Sequence, residues 1–203
     1  MGWIKNLLKN GNSTRKSTKR SHKDLSFYGD IDFNKGLQYY KKATLVYGDG
    51  WRDNEKRLNE LAVAHFDKAI GKGYKTSKLF SLRADCLNDL GYYFDAIEDY
   101  DKALSMNPTQ GIAHGYWRRG MIKHTIFDFE GSREDIITAI TLSKIDNEDN
   151  RFWNEHAKAG GFGNTATEWY KWDLEWIVER SLKPPPDLIK KEEVLTSVKR
   201  RSS

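Results

Sequence analysis

The sequence predicts an all-α protein, a solenoid of antiparallel helical hairpins with a basic tail at each end. The chain has only 4 prolines, and most of its glycines fall at segment ends, so long helices are allowed and an all-β fold is not expected. Apolar residues recur three and four positions apart, as on one face of a helix. Small and aromatic residues also recur every 34 to 36 residues, a period typical of repeat proteins.

The composition is polar but is that of a folded chain. Charged residues make up 31% of the 203 residues and the mean hydropathy is −0.78, yet 38% of the chain is hydrophobic. With 7 Trp, 10 Tyr and 9 Phe, it is too rich in aromatic residues to be disordered throughout. A chain of this length is expected to form one folded domain with tails, which we assign to residues 31–182.

The net charge of +5 is concentrated at the ends of the chain. Residues 1–24 carry a net charge of +6, residues 183–203 carry +3, and the part between them carries −4. We interpret residues 1–30 as a flexible basic arm because Ser, Thr, Asn and Lys dominate most of it. The basic residues of this arm are Lys5, Lys9, Arg15, Lys16, Lys19, Arg20 and Lys23.

The arm leaves two functional interpretations open besides that of a solvated tail. Its basic residues could bind nucleic acid, with a steep dependence on salt. Alternatively, Trp3, Ile4, Leu7 and Leu8 could insert into an anionic membrane as a short amphipathic segment, helped by Lys5 and Lys9. The same residues are too interrupted by polar ones for a secretory signal or a membrane span, so we expect a cytoplasmic protein.

The helices can be placed in order along the chain. A helical pattern starts at Phe33, and a second helix is expected from about Asp53 to Ile70. Residues 77–90 and 93–106 then form two amphipathic segments, separated by Gly91 and closed by Asn107 and Pro108. The break between these segments is short enough to require two antiparallel neighbours. At the other end, the tail at 183–203 starts with prolines that end a helix, and its remainder could form a short amphipathic helix.

One set of small and aromatic residues recurs through the chain. Ala96, Tyr100 and Ala103 have counterparts 34 residues earlier and 36 residues later, which are Ala62, Phe66, Ala69, Ser132, Ile136 and Ala139. Gly120 likewise lies 36 residues after Ala84. A fainter fourth copy runs through Trp153, Ala157, Gly161, Ala166 and Tyr170. Small residues let two helix backbones approach to about 8 to 10 Å while the aromatic residues fill the gap.

Residues 77–110 resemble the tetratricopeptide repeat, a helix-turn-helix unit. The family pattern is met by Phe80, Ala84, Leu87, Gly91, Ala96, Tyr100, Ala103 and Pro108. A second repeat at about residues 113–146 keeps Gly120 and Ala139, but has Arg119 where the family usually has Leu. The resemblance implies a right-handed solenoid of about three to four repeats over residues 33 to 181.

The resemblance also implies a non-enzymatic interaction module. The first helices of successive repeats would line a concave groove that receives a partner peptide or helix. Carried over slot by slot, the groove residues are Lys78, Ser81, Asp85, Asp89, His114, Trp117, Arg118, Met121 and His124, with Arg151 and Glu155 added from the last repeat. For Trp117 an alternative stays open, in which the side chain packs into the interface between repeats.

Some members of the family grip the acidic tails of heat-shock chaperones. Only Arg118 occupies a slot that matches this subset, and Leu82 stands where an Asn is required. We therefore do not expect chaperone-tail binding.

No catalytic, metal or cofactor motif is found in the sequence. The five histidines do not form a zinc-type pair with a neighbouring Glu, and Cys86 has no second cysteine for a disulfide or a metal site. The glycines of residues 159–164 do not follow a strand and are best explained as the turn of the fourth hairpin. The stripe of Trp169, Trp172 and Trp176 is expected to cover the end of the solenoid.

Overall fold

The computed structural model describes residues 25–45, 51–106, 111–145 and 148–182. This part of the chain is all-α, as the sequence predicts, and forms a solenoid of helices joined by short turns. The helices are α1 (Leu25–Ala43), α2 (Trp51–Gly71), α3 (Ser77–Asp89), α4 (Tyr93–Ser105), α5 (Ile112–Thr125), α6 (Phe129–Ser143), α7 (Glu148–Ala159) and α8 (Ala166–Leu182).

The turns within the hairpins lie where the sequence places them. Gly91 separates α3 from α4 and has φ of +81°, a left-handed conformation that glycine adopts without strain. Between α5 and α6, Phe127 has φ of 66°, and the Asp128 carboxylate accepts a hydrogen bond from the Gly131 amide at 3.0 Å. Asp128 therefore caps the start of α6. Asn107 and Pro108 lie outside the described residues.

The first helix begins at Leu25, eight residues before the expected start at Phe33. Contacts with the turn between α2 and α3 explain the extension. A side chain at Gly29 would collide with Tyr74, and Asp32 forms an ion pair with Lys72 at 2.5 Å. These contacts involve a glycine and a charged residue, so the spacing of apolar residues could not predict that the helix extends to them.

Three hairpins, α1–α2, α3–α4 and α5–α6, follow one another along the chain. At an equivalent point of each first helix lies a small residue, namely Gly36, Ala84 and Gly120. A Cβ at Gly36 would lie 2.6 Å from the Phe66 ring, and Ala84 has no exposed surface. The small residues are therefore where the paired helices approach closely.

An arginine on the first helix of the second hairpin ties three helices together. Arg83 on α3 donates to Asp67 on α2 at 2.6 Å and to both carboxylate oxygens of Asp99 on α4 at 2.6 and 2.7 Å. Arg119, which lies 36 residues later, makes the same arrangement between α4, α5 and α6. Each arginine joins its own hairpin to the preceding one.

The fourth hairpin does not stack as the first three do. Its turn lies at the predicted glycines, with φ of +75° at Gly161. However, α8 rather than α7 packs along α6, and the hydroxyls of Ser143 and Thr167 lie 2.7 Å apart. The helix α7 instead lies against α5, where the Trp153 ring stacks on His114 with centroids 3.5 Å apart.

The buried apolar residues form two clusters. The N-terminal cluster comprises mainly residues of α1 to α4, among them Phe66, Leu79 and Tyr100. The C-terminal cluster comprises residues of α5 to α8, among them Trp117 and Tyr170. The boundary between the clusters falls between the second and third hairpins.

Candidate functional site

A cleft of about 520 Å³ opens beside the N-terminal ends of α3 and α5. Among the side chains that line it are six from the helices α1, α3, α5 and α7, namely Tyr40, Lys78, Ser81, Asp85, His114 and Phe152. We call this feature the cleft. A volume of this order falls within the range of roughly 300 to 1,000 Å³ that is typical of ligand-binding pockets.

The Asp85 carboxylate organises the inner end of the cleft. One of its oxygens accepts hydrogen bonds from the Tyr100 hydroxyl at 2.5 Å and from Arg118 Nε at 2.8 Å. The other oxygen accepts a hydrogen bond from the Tyr40 hydroxyl at 3.3 Å. Three helices besides α3 thus hold this one side chain, so the inner end of the cleft is pre-organised.

The charge of Asp85 is neutralised inside the protein. Burial by itself would lower the pKa of the Arg118 guanidinium, but the nearby Asp85 carboxylate outweighs burial, and the pKa lies above its usual value. Burial, followed by the Asp85 charge, raises the pKa of the Tyr40 and Tyr100 hydroxyls. At neutral pH this group therefore contains one ion pair and two neutral phenols.

Aromatic side chains form the wall of the cleft opposite α3. The His114 ring lies between Trp153, at 3.5 Å between centroids, and Trp117, at 4.9 Å. Burial and then the charge of Arg118 hold the pKa of His114 well below its usual value, so the ring is neutral at pH 7. Beside this stack, the Phe152 side chain is 61% exposed. The wall therefore has a fixed base and one accessible aromatic ring.

The predicted groove residues fall into two sets. Lys78, Ser81, Asp85 and His114 line the cleft. Asp89 is exposed one turn beyond Asp85 and does not line the cleft, and Arg151 and Glu155 on α7 do not line it either. Arg118 is also absent from the lining, because its guanidinium group is paired with Asp85.

The other predicted residues lie beneath α8 or inside the protein. Trp117 is 8% exposed, and its indole Nε1 donates to Asp173 at 2.7 Å, a position that matches the interface alternative. His124 is also 8% exposed and contacts the Trp176 ring at 4.7 Å between centroids, while Met121 packs against the C-terminal cluster. These three residues do not line the cleft because α8 covers this part of α5.

The sequence placed the wrong residues of α7 in the groove. It indicated Arg151 and Glu155, whereas the structure places Phe152 and Trp153 along the cleft. Trp153 was assigned to the faint fourth repeat, and Phe152 was not singled out. A regular fourth repeat would have placed α7 along α6, and no local pattern reveals that α8 takes this place. The adjacent Phe152 and Trp153 in a polar helix are the only signal that could have drawn attention to them.

Other candidate features can be stated for the described part of the chain. The Cys86 side chain is fully buried, and burial raises the pKa of its thiol, which makes it unreactive. Among the described residues, no group of three or more His, Cys, Asp or Glu could hold a metal ion. No helix in the described ranges has both the length and the hydropathy for crossing a membrane. Residues 1–24 of the predicted arm and the 183–203 tail lie outside these ranges. Residues 25–30, which the sequence assigned to the arm, belong to α1.

Comparison with known proteins supports the repeat assignment. The family model for the tetratricopeptide repeat matches residues 77–110. The chain is 29% identical over 73 residues to the Hsp70-Hsp90 organizing protein of Triticum aestivum, and 26% identical over 106 residues to Hsp70-Hsp90 organizing protein 2 of Arabidopsis thaliana. It is also 33% identical over 76 residues to U-box domain-containing protein 70 of Oryza sativa subsp. japonica.

These matches cover part of this chain and a small part of each relative. They span 36%, 52% and 37% of the chain, but only 12%, 16% and 9% of the respective relatives. No solved structure matches the chain significantly. The shared part is therefore the helical repeat, and the activities of the whole relatives do not follow from it.

Proposed function

We propose that this chain, a protein of the tetratricopeptide-repeat family, is a non-enzymatic adaptor that holds a partner protein by a short segment bound in the cleft. The observation that carries the proposal is the pairing of a fixed, charge-neutral inner end with an accessible aromatic ring, Phe152, at the mouth. Repeat proteins commonly use such concave surfaces for binding. We place this role in the cytoplasm.

The chemistry of the cleft favours a partner segment with a large apolar side chain. Such a side chain would be buried between Phe152 on one wall and Leu82 on the other. The hydroxyls of Ser77 and Ser81 and the Lys78 ammonium group surround the apolar area with hydrogen-bond donors. An apolar centre with a polar rim is the usual arrangement of residues that dominate binding energy.

The relatives support the proposal that the partner is a protein. They do not indicate which protein it is. Two of them are named as organizing proteins for Hsp70 and Hsp90. Acidic chaperone tails are not part of this proposal, because Leu82 lines the cleft where that mode requires an Asn. In addition, Arg118 is already paired with Asp85 at 2.7 Å. Breaking this pair to bind an external carboxylate would leave Asp85 uncompensated.

The adaptor role can be tested by partner capture with matched variants. The Ser81→Arg variant places a long charged side chain in the cleft, whereas Thr141→Arg makes a similar change at an exposed site on α6. We expect proteins retained from a native lysate by wild type and by Thr141→Arg to be lost with Ser81→Arg. Circular dichroism would check that both variants are folded. Equal retention by all three proteins would refute the cleft as the binding site.

A further inference from the structure

The opening residues of the chain have apolar side chains that the fold described so far does not use. Trp3, Ile4, Leu7 and Leu8 recur at spacings of three and four, so in a helix they share one face. We call residues 3–8 the arm segment. The cleft in turn has an exposed apolar wall, with Phe152 61% exposed. Each surface loses unfavourable contact with water if the two meet.

We propose that the arm segment binds in the cleft of its own chain and competes there with the partner. The inference rests on the proposed function, since it makes the same cleft the site of an internal ligand. Binding of a partner then requires release of the arm segment, so the apparent affinity for the partner is lower than that of an open cleft.

The direction of α1 brings the arm to the correct end of the protein. Phe33 stacks on Tyr74 just before α3, with centroids 5.0 Å apart, and seven residues later Tyr40 reaches Asp85 within α3. The helices α1 and α3 therefore run in the same direction. The N-terminus of α1 lies at the end where Thr76, Ser77 and Lys78 line the cleft.

The connecting residues are long enough for the arm segment to enter the cleft. Sixteen residues, 9–24, separate it from α1. A flexible chain of this length spans about 20 to 24 Å on average. Leu25 precedes Gly29 by four residues, about 6 Å of helix, and Gly29 itself contacts Tyr74. The cleft thus lies within the average reach of the arm.

The other tail is placed less favourably. The helix α8 runs parallel to α5, because Tyr170 lies near His114 at the start of α5 and Trp176 lies near His124 towards its end. From His114 to His124 is about 15 Å of helix, and α8 continues for six residues beyond Trp176. The tail at 183–203 therefore begins at the end of the solenoid away from the cleft.

Charge complementarity also favours binding of the arm segment along α7. Glu148 and Glu155 are exposed and lie one turn before and one turn after Phe152 on the same helix face. In the arm segment and directly after it, Lys5 and Lys9 flank the apolar residues. Because Lys78 lies on the opposite wall, we expect these two lysines to run along α7. A tethered ligand of this kind has an effective concentration on the order of millimolar.

The test uses the full chain with a spin label at one introduced cysteine, Asn10→Cys. Cys86 is buried, so a thiol reagent reacts only with the introduced site. The measurement is paramagnetic broadening of the backbone amide signals of Ser81, His114 and Phe152. We expect strong broadening at these cleft amides and none at Thr141 on α6. Adding Leu7→Asp and Leu8→Asp to the labelled chain should remove the broadening.

Three outcomes overturn the inference: no broadening at the cleft amides, broadening only along α8, or broadening that survives the two aspartates. Binding of the labelled arm to anionic vesicles, with the cleft amides unaffected, likewise assigns it to a membrane instead. The proposed function fails separately, when Ser81→Arg still retains every partner. If the cleft amides broaden in that case, the cleft serves the arm alone.

Discussion

At the scale of single residues, two arginines explain a departure from the family pattern. Arg119 stands where the tetratricopeptide repeat usually has Leu, and Arg83 holds the same position one repeat earlier. In the structure, Arg119 donates to both oxygens of Asp135 at 2.6 and 2.8 Å and to Asp101 at 2.6 Å. The arginine that replaces the usual Leu therefore connects consecutive hairpins.

The Arg119→Leu variant should test this connection. Asp135 has a side chain only 6% exposed, so loss of the guanidinium leaves a buried carboxylate with Lys123 as its remaining cation at 2.9 Å. We expect a loss of about 2 kcal/mol in the free energy of unfolding, measured by urea denaturation. Arg119→Leu combined with Asp135→Leu should recover much of this loss. A single variant as stable as wild type would show that the ion pair contributes little.

Sequence reasoning located part of the cleft at this scale. Lys78, Ser81, Asp85 and His114 were found because they follow the repeat register, which the structure keeps through α5. Phe152 and Trp153 were not found because their position depends on α8 replacing α7 beside α6. That replacement is a tertiary packing outcome, and no spacing within α7 encodes it.

At the scale of helices, small residues set the distance within each hairpin. The sequence showed Ala84 and Gly120 at a spacing of 36 residues. It did not reveal Gly36, which lies 48 residues before Ala84, because the connection between α1 and α2 is longer than in the other hairpins. Periodicity therefore predicted the regular hairpins and missed the register of the first.

The Gly120→Ala variant tests this role of small residues. A Cβ at Gly120 would lie 2.9 Å from Ile136 Cδ1 and 3.1 Å from Asp135 Cβ, so the Ile136 side chain has to shift and α5 and α6 have to adjust around it. We expect a loss of about 1 to 3 kcal/mol in unfolding free energy, as is typical of overpacked cores. The control is Gly71→Ala at the end of α2, where an added Cβ would meet no neighbouring side chain or packed helix within 4 Å. It should be neutral or stabilising by up to about 1 kcal/mol, and equal effects would contradict the account.

At the scale of the whole molecule, the buried apolar residues form two clusters, so each hairpin packs mainly on the hairpins next to it. The all-α solenoid followed from the sequence because its repeat in residues 77–110 is regular. The closure of the C-terminal end followed in part. Trp169 and Trp176 of the expected stripe cover Trp117 and His124. Trp172 does not take part and is 59% exposed. The repeat register alone would have left Trp117 and His124 open. Stability in such proteins is approximately a sum over adjacent units.

Hydrogen exchange can show whether the two clusters open separately. Trp117→Ala removes a large side chain from the C-terminal cluster and leaves Asp173 without its indole donor. We expect a loss of about 3 to 5 kcal/mol, with faster amide exchange mainly in residues 111–182. Phe66→Ala, in the N-terminal cluster, should accelerate exchange mainly in residues 25–106. Uniform acceleration in both variants would mean that the described helices open as one unit.

The central claim is that a partner binds through the cleft, and calorimetric titration of a captured partner tests it most directly. Phe152 and Trp172 have almost the same exposed fraction, 61% and 59%, but only Phe152 lines the cleft. We predict that Phe152→Ala weakens binding about tenfold or more, equivalent to about 1.4 kcal/mol, while Trp172→Ala leaves the affinity unchanged. Unchanged affinity with Phe152→Ala, or an equal loss with Trp172→Ala, would contradict the account.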